Sequence, residues 1–439
     1  MDEGGAPGRV AAILLGGALL VWPAFYNGYP ILFSDTGGLL EMGLAPNMGW
    51  DKPFVYGPLA ALLSLHRTLW LPLAAQGVLA SYVLWLTQAV FARPGPVRHV
   101  GVCAVLAAGT AAPWVTATLI PDFLAPVAAL GLFVLGTGRL GRGHRVAAGV
   151  ITTVAIAAHL SHLVLAAGCV VVLALLRLAV PWRPVACLAA ALLFLAGSNW
   201  VGHERLAVSP HGSVFALARL VADGPARAHL DRVCPEAGYR LCDWRGRLTD
   251  DSDQFLWDPE GPFWSDPAPV GAFAAEASQI VRGTVAAYPL WVLADAGRNA
   301  ARQLGRVRIG DTLVAANLDV AVRPRIARFF PEAELRRYAA SAQVNGRLGV
   351  AEFVVALQSA LLGVGAVGCA LLLVAGLRRP SLQADFAAFV LIALAANALG
   401  TGALSTVHDR YQARIAWLML VPPLVAAASR QICSNRRVT

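Results

Sequence analysis

A succession of long, unbroken apolar runs constrains this chain more than any other feature. They lie near residues 10–26, 69–92, 99–118, 123–138, 146–160, 163–180, 184–201, 349–376, 384–401 and 412–429. A helix of roughly 20 residues crosses a hydrocarbon core of about 30 Å. In lipid every backbone polar group must find its partner inside the protein, so only helices and closed barrels span. Runs that are continuous rather than alternating exclude the barrel. Composition agrees, with 57% hydrophobic and 14% charged residues, against about 25% charged in soluble domains. The expected fold is an all-α polytopic membrane protein with about ten transmembrane helices. The shorter apolar stretch 55–67 predicts a half-helix or re-entrant piece.

The net charge of +9 does not point to nucleic acid, because the basic residues are dispersed and not interleaved with aromatic side chains. Their placement reads instead as membrane topology. Arg9, Arg93, Arg98, Arg139, Arg142, Arg145, Arg177, Arg183, Arg378, Arg379, Arg430, Arg436 and Arg437 fall at alternate ends of successive runs, hence on one face. The positive-inside rule makes that face cytoplasmic, with both termini there. The first run reads as an uncleaved anchor, since no small-residue cleavage site follows it. Of the 26 acids, all but Asp2, Glu3, Glu352 and Asp385 fall on the opposite face. A bacterial inner membrane with a periplasmic acidic face is the expected location.

Three regions follow: a transmembrane bundle over 1–201 with a first outer loop at 27–58, a mainly helical extracytoplasmic domain inserted at 202–348, and a transmembrane bundle with a short cytoplasmic tail at 349–439. Val285–Val292 is too short to span and reads as an interfacial or core helix. Cys103, Cys169, Cys187 and Cys369 lie within runs, as small hydrophobes do, and Cys433 lies in the tail. Cys234 and Cys242, in CPEAGYRLC, are spaced for a structural disulfide in an oxidising compartment. Their spacing does not suit zinc.

Chemistry-bearing residues cluster at the acidic face. Asp35, in FSDTGG, reads as a helix cap or as a general base at the membrane boundary. Asp51 and Lys52, in WDKPFVYGP, form an exposed ion pair or offer a compact cation to a phosphate; Lys52 is the only lysine in the chain. Asp122, in LIPDFLAP, caps a span beside Pro121 or supplies a second acid. His159 and His162 are three apart, on one helical face, and either fill the core or face a ligand. His408, Asp409, Arg410 and Tyr411 open the last run and anchor it at the interface, or Arg410 and Arg414 face a phosphate together.

These elements and their order resemble the GT-C superfamily of membrane glycosyltransferases, which use polyprenyl-phosphate-linked sugars. The likeness is carried by Asp35 in the first outer loop, by the proline-aromatic stretch Lys52–Pro58, by Asp122 opening a later span, and by Asp409-Arg410-Tyr411 entering a late span that ends in Pro422-Pro423. One departure stands out: many members carry two adjacent or near-adjacent acids in that loop, whereas Thr36 and Gly37 follow Asp35, so that Glu41 or Asp51 supplies a second or Asp35 acts alone. The segment 202–348 also interrupts the bundle earlier than expected, as in a divergent branch. The resemblance implies Asp35 and Asp122 as catalytic acids. It implies Lys52, Asp51, His159, His162, His408, Arg410 and Tyr411 as substrate contacts. It implies a polyprenyl-phosphate sugar donor and an extracytoplasmic acceptor (glycan, lipid or protein) in the cell envelope. It leaves a divalent cation open. A transporter or lipid flippase, and a non-catalytic envelope-assembly scaffold, are the competing readings. Few ionisable residues at mid-depth and no internal repeat weigh against transport.

Overall fold

A computed structural model describes residues 5–45, 47–176 and 178–427; Asp2, Glu3, Arg177, Arg430, Cys433, Arg436 and Arg437 lie outside them. The described chain is helical, without strands, and holds one parallel bridge between Ile31 and Thr118. The first half comprises α1 (Ala6–Leu19), α2 (Trp22–Asn27), α3 (Ser34–Leu44), α4 (Tyr56–Ser64), α5 (Trp70–Ala89), α6 (Pro96–Gly109), α7 (Ala112–Ala117), α8 (Leu124–Gly136), α9 (Arg142–Ala157), α10 (Leu160–Leu175) and α11 (Trp182–His203). There follow α12 (Gly212–Asp223), α13 (Pro225–Val233), α14 (Ser252–Trp257), α15 (Val270–Ala287), α16 (Pro289–Leu304), α17 (Leu318–Ala321), α18 (Arg323–Phe329) and α19 (Glu332–Ala340). The chain returns through α20 (Glu352–Arg378), α21 (Leu382–Leu404) and α22 (Asp409–Ala416).

Four described helices are long and apolar enough to cross a membrane: α5, α11, α20 and α21. Shorter apolar helices are α1, α6, Pro121–Gly136 and α10. Three of the expected spans are broken. The run 10–26 divides between α1 and α2, and 99–118 between α6 and α7. In both cases a proline, Pro23 or Pro113, occupies the first turn of the second piece, where its missing N–H costs nothing. The run 412–429 starts as α22 and tightens into a 3-10 turn at Trp417–Leu420 before two prolines. The stretch 55–67 forms α4, which ends at Leu65 and His66, both with positive φ.

Every residue of α8 is buried, as expected for a helix apolar on all sides at a bundle centre. Phe133 of α8 packs on Phe386 and Phe389 of α21, with ring centroids 4.5 and 5.2 Å apart. The exposed apolar side chains of α11 and α20, such as Leu193, Phe194, Val367 and Leu371, form the kind of surface that a bilayer covers.

The stretch between α11 and α20 packs as two groups. Helices α12–α15 share a core of Val214, Leu217, Phe255, Phe273 and Ile280, with Cys234 and Cys242 joined as a disulfide (Cα–Cα 5.6 Å) at its edge. Ile326 and Tyr338, from α18 and α19, instead share a core with Tyr29, Ile31, Leu32 and Leu69 of the N-terminal half. Helix α16 leaves both groups to lie along α21, where the backbone of Asn299 approaches Gly402 too closely for any side chain. Val285–Val292 forms the corner between α15 and α16, with Leu290 and Trp291 exposed.

A buried carboxylate fixes the second group to the bundle. Glu334 of α19 is 1% exposed. It accepts hydrogen bonds from the Tyr29 hydroxyl (2.8 Å), the Thr68 hydroxyl (3.0 Å) and the Leu69 N–H (2.8 Å), while Arg337 lies 3.3 Å away. Glu334→Ala leaves these neutral donors unpaired in the interior, at an expected loss of about 1–3 kcal/mol for a buried donor so stranded. Glu334→Gln, which keeps an acceptor, should lose less. Thermal unfolding of the detergent-solubilised protein measures both; equal midpoints for wild type and Glu334→Ala would remove this anchor.

Candidate functional site

The first loop is placed before any of its charges act. Leu119 N–H donates to Ile31 O (2.9 Å) and Ile31 N–H to Ala117 O (3.1 Å), tying the loop to the segment that leads to Asp122. Gln343 clamps both backbone groups of Leu32, at 3.0 and 2.7 Å. Helix α3 then starts with Phe33 at its cap position, and the Thr36 hydroxyl accepts from Phe33 N–H (3.0 Å) while donating to Leu119 O (3.0 Å). The cap role expected for Asp35 therefore passes to its neighbours. Asp35 stands in the first turn, where a carboxylate meets the positive end of the helix dipole. Gly37 lets α3 press onto α17, since a Cβ there would lie 1.7 Å from Ala321 O.

Asp35 meets two cations from distant parts of the chain. Lys52 Nζ lies 3.4 Å from Oδ1 and Arg410 Nη1 lies 3.8 Å from Oδ2. Lys52 also pairs with Asp51 and sits 5.7 Å from the ring centroid of Trp257 on α14. Trp50, just before it, stacks on Phe215 and packs on Phe263, docking the loop into the α12–α15 core. Arg410 is held by its own tyrosine neighbour, donating to Tyr411 Oη at 3.0 Å, and lies 4.4 Å over the Phe33 ring. Its backbone N–H donates to Asp311 Oδ2 at 2.7 Å. Burial alone pushes the Asp35 carboxyl up, but Lys52 and Arg410 outweigh it and hold it below the usual carboxylate value. Burial pushes Lys52 down, and Asp35 and Asp51 more than reverse this. Burial pushes the Asp311 carboxyl up against the pull of Arg410.

Beside this cluster lies a buried one. Arg414 is fully buried and donates to Asp122 Oδ1 (2.9 Å), Ser161 Oγ (2.8 Å) and Asn397 Oδ1 (2.9 Å). Arg410 and Arg414 thus do not offer one free cationic surface, because Arg414 is spent inside the protein. Asp122, Asp311, Arg410 and Arg414 line one narrow cleft with room for about 20 Å³, the size of a single water. Asp35 does not line it but contacts Arg410 directly.

The two histidines meet at the start of α10, with ring centroids 5.2 Å apart, His159 as its cap residue and His162 in its first turn. His159 precedes α10 and its Nδ1 accepts from Ser161 N–H at 3.2 Å, linking it through Ser161 to Arg414. His162 is fully buried with Nδ1 against Ala155 O at 2.7 Å, a core residue. His408 caps the approach to α22, its Nε2 2.9 Å from Asp253 Oδ2, while Gln303 bonds both its backbone groups. Glu41 lies apart, paired with Arg325 at 2.9 Å. Glu352, placed within a span by its sequence context, starts α20 and reaches Arg308 at 2.6 Å, so it joins the polar end.

No grouping of three or more His, Cys, Asp or Glu suited to a metal ion exists among the described residues. Asp35 and Asp122 are each engaged by cationic side chains instead, so the donor set does not fit a resident divalent cation. Sequence reasoning passed over Asp253, Asp311, Ser161 and Asn397. Only Asn397 carried a signal, as an amide inside an apolar run.

The Asp122–Arg414 pair can be tested by a double-mutant cycle. Asp122→Ala leaves a buried guanidinium without its counter-ion and should cost about 3–5 kcal/mol. Arg414→Met with Asp122→Ala should cost less than the two single losses added, by at least about 1 kcal/mol. Additive losses in chemical unfolding would show that the pair is not coupled.

No family model matches the chain, and no curated protein or solved structure matches it either.

Proposed function

We propose that this chain is an integral membrane glycosyltransferase that moves a sugar from a polyprenyl-phosphate donor to an acceptor outside the cytoplasm, with inversion. The observation that carries the reading is the convergence of Asp35 with Lys52 and Arg410, an acid and two cations from the first loop and the last helix. In this reading the chain crosses a bacterial cytoplasmic membrane about ten times, with both termini inside and the Asp35 cluster outside. The residues of these ion pairs fall on the face that the charge pattern of the sequence assigns outside, which supports a one-sided site over alternating access.

The chemistry follows from charge. The donor phosphate, at the membrane boundary, takes Lys52 and Arg410 as its counter-ions. The acceptor oxygen attacks the anomeric carbon from the face opposite the phosphate. Its new C–O bond forms as the bond to the phosphate oxygen breaks, and the electron pair leaves with the polyprenyl phosphate. Lys52 and Arg410 stabilise that developing charge. Asp35 receives the acceptor proton. A phosphate that draws the two cations away also removes what holds the Asp35 carboxyl down, so donor binding makes Asp35 a better base. Asp122 acts through Arg414, fixing the helix that carries Arg410. Because the cleft beside Arg410 holds only a water-sized volume, substrate entry requires side-chain movement.

The test is sugar transfer from labelled polyprenyl-phosphate sugars by the protein in vesicles. Asp35→Asn should lower kcat by about 10²-fold or more. Lys52→Ala and Arg410→Ala should slow transfer and weaken donor binding. No transfer by wild type with any donor tested, or undiminished transfer by Asp35→Asn, sinks the proposal. The pH profile gives a second measure. Because the free-state Asp35 carboxyl is held below its usual value of about 3.9, it stays ionised as pH falls from 7. The acidic limb of kcat/KM should then lie below about pH 4, whereas that of kcat should sit higher once donor is bound. Coincident limbs would remove the coupling between donor and base.

A further inference from the structure

We infer that the cleft between the C-terminal end of α16 and residues 405–407 is a second anion-binding site, distinct from the Lys52–Arg410 cluster. This cleft, of about 500 Å³, is lined by Arg219, Asn299, Arg302, Gly305, Arg306, Thr406 and Val407. Its size falls within the range of ligand pockets, and suits a phosphorylated or carboxylated sugar unit better than a lone ion.

Charge is the main argument. The charge pattern of the sequence puts nearly all of the acids on the same face as this segment, yet no acidic side chain lines this cleft, and three guanidinium-bearing residues do. Arg219 is neutralised from behind by a two-pronged pair with Asp223, at 2.9 and 2.7 Å. Asn299 donates to the same carboxylate at 3.0 and 3.1 Å, turning the acid away from the opening. Arg306 has Asp409 at 3.7 Å. The exposed Arg302 has no side-chain hydrogen bond or ion pair among the described residues. Arg302 stands in the last turn of α16, where the helix dipole favours a cation, and its planar guanidinium, matched to phosphate or carboxylate, has neither as a partner.

The position gives the cleft a purpose. Its wall is the strap that leads into α22: Arg219 Nη1 donates to Ser405 O (3.4 Å), the Thr406 hydroxyl donates to Asp253 Oδ1 (3.0 Å), and Asp253 holds His408. Two residues further on stands Arg410. A ligand seated against Thr406 and Arg302 therefore lies next to the element that presents Arg410 to Asp35. Resting on the proposed transfer, this cleft would hold an anionic group of the acceptor while its hydroxyl reaches Asp35.

Binding can be measured without any transfer reaction, by calorimetry on the full-length protein in nanodiscs. The probes are inorganic pyrophosphate, glucuronic acid as a carboxylated sugar, and glucose as a neutral control. Pyrophosphate or glucuronic acid should bind saturably and glucose should not. Arg302→Ala should weaken that binding about tenfold and Arg302→Lys by less. Which anion binds more tightly tells a phosphate source from a carboxylate one. Arg410→Ala should leave the Arg302-dependent binding in place. No saturable binding of either anion overturns the inference. So does binding that is indifferent to Arg302→Ala, or lost only in Arg410→Ala, since the anion would then occupy the Lys52–Arg410 cluster. Because no donor is present, failure here leaves the transfer proposal standing, and failure of transfer leaves the anion site standing.

Discussion

A single buried guanidinium, Arg414, organises the polar end of this protein. Removing such a charge from water costs several kcal/mol unless its donors are matched. Here the match comes from Asp122, Ser161 and Asn397, on three separate segments. The penalty for leaving any donor unpaired pins the helix that carries Arg414 against α8, α10 and α21. One turn earlier on that helix stands Arg410, whose direction is thereby set.

Around Arg410 the physical logic changes from structural to poised. Arg414 is closed off, with its charge compensated within the protein. Asp35, Lys52 and Arg410 are partly open, with side chains 34%, 22% and 17% exposed. Their pairing distances of 3.4 and 3.8 Å are longer than a tight charge-assisted hydrogen bond. In the proposed transfer, the donor phosphate enters this cluster by replacing the internal carboxylate. Trp257 and Phe33 supply ring faces beside the two cations, which limit their hydration without neutralising them.

The cleft at Arg302 extends the same charge pattern. Asp223 and Asn299 turn one acid inward, so a cation-lined opening survives on an end rich in carboxylates. The strap at 405–408 separates it from Arg410, and Thr406, Asp253 and His408 brace that strap.

Apolar runs by themselves determined that this chain is helical and built for a bilayer, because hydrophobicity and backbone satisfaction are local properties that a linear sequence carries. Local breaks were legible in principle too: Pro23 and Pro113 mark where runs divide into two helices. The resemblance put Asp35, Lys52 and Arg410 in one expected site, but that both cations pair directly with Asp35 was not legible, since loop–helix contacts across the chain depend on packing. Arg414 shows the limit most plainly. Its charge and its four-residue spacing from Arg410 were visible, yet only the tertiary structure decided that one faces Asp35 while the other is consumed by Asp122. His159 and His162 do meet, 5.2 Å apart at the start of α10, but only folding decided that one is tied through Ser161 to Arg414 and the other to Ala155 O. Sequence supplies the charges; burial and the partners that folding brings together decide which of them remain available.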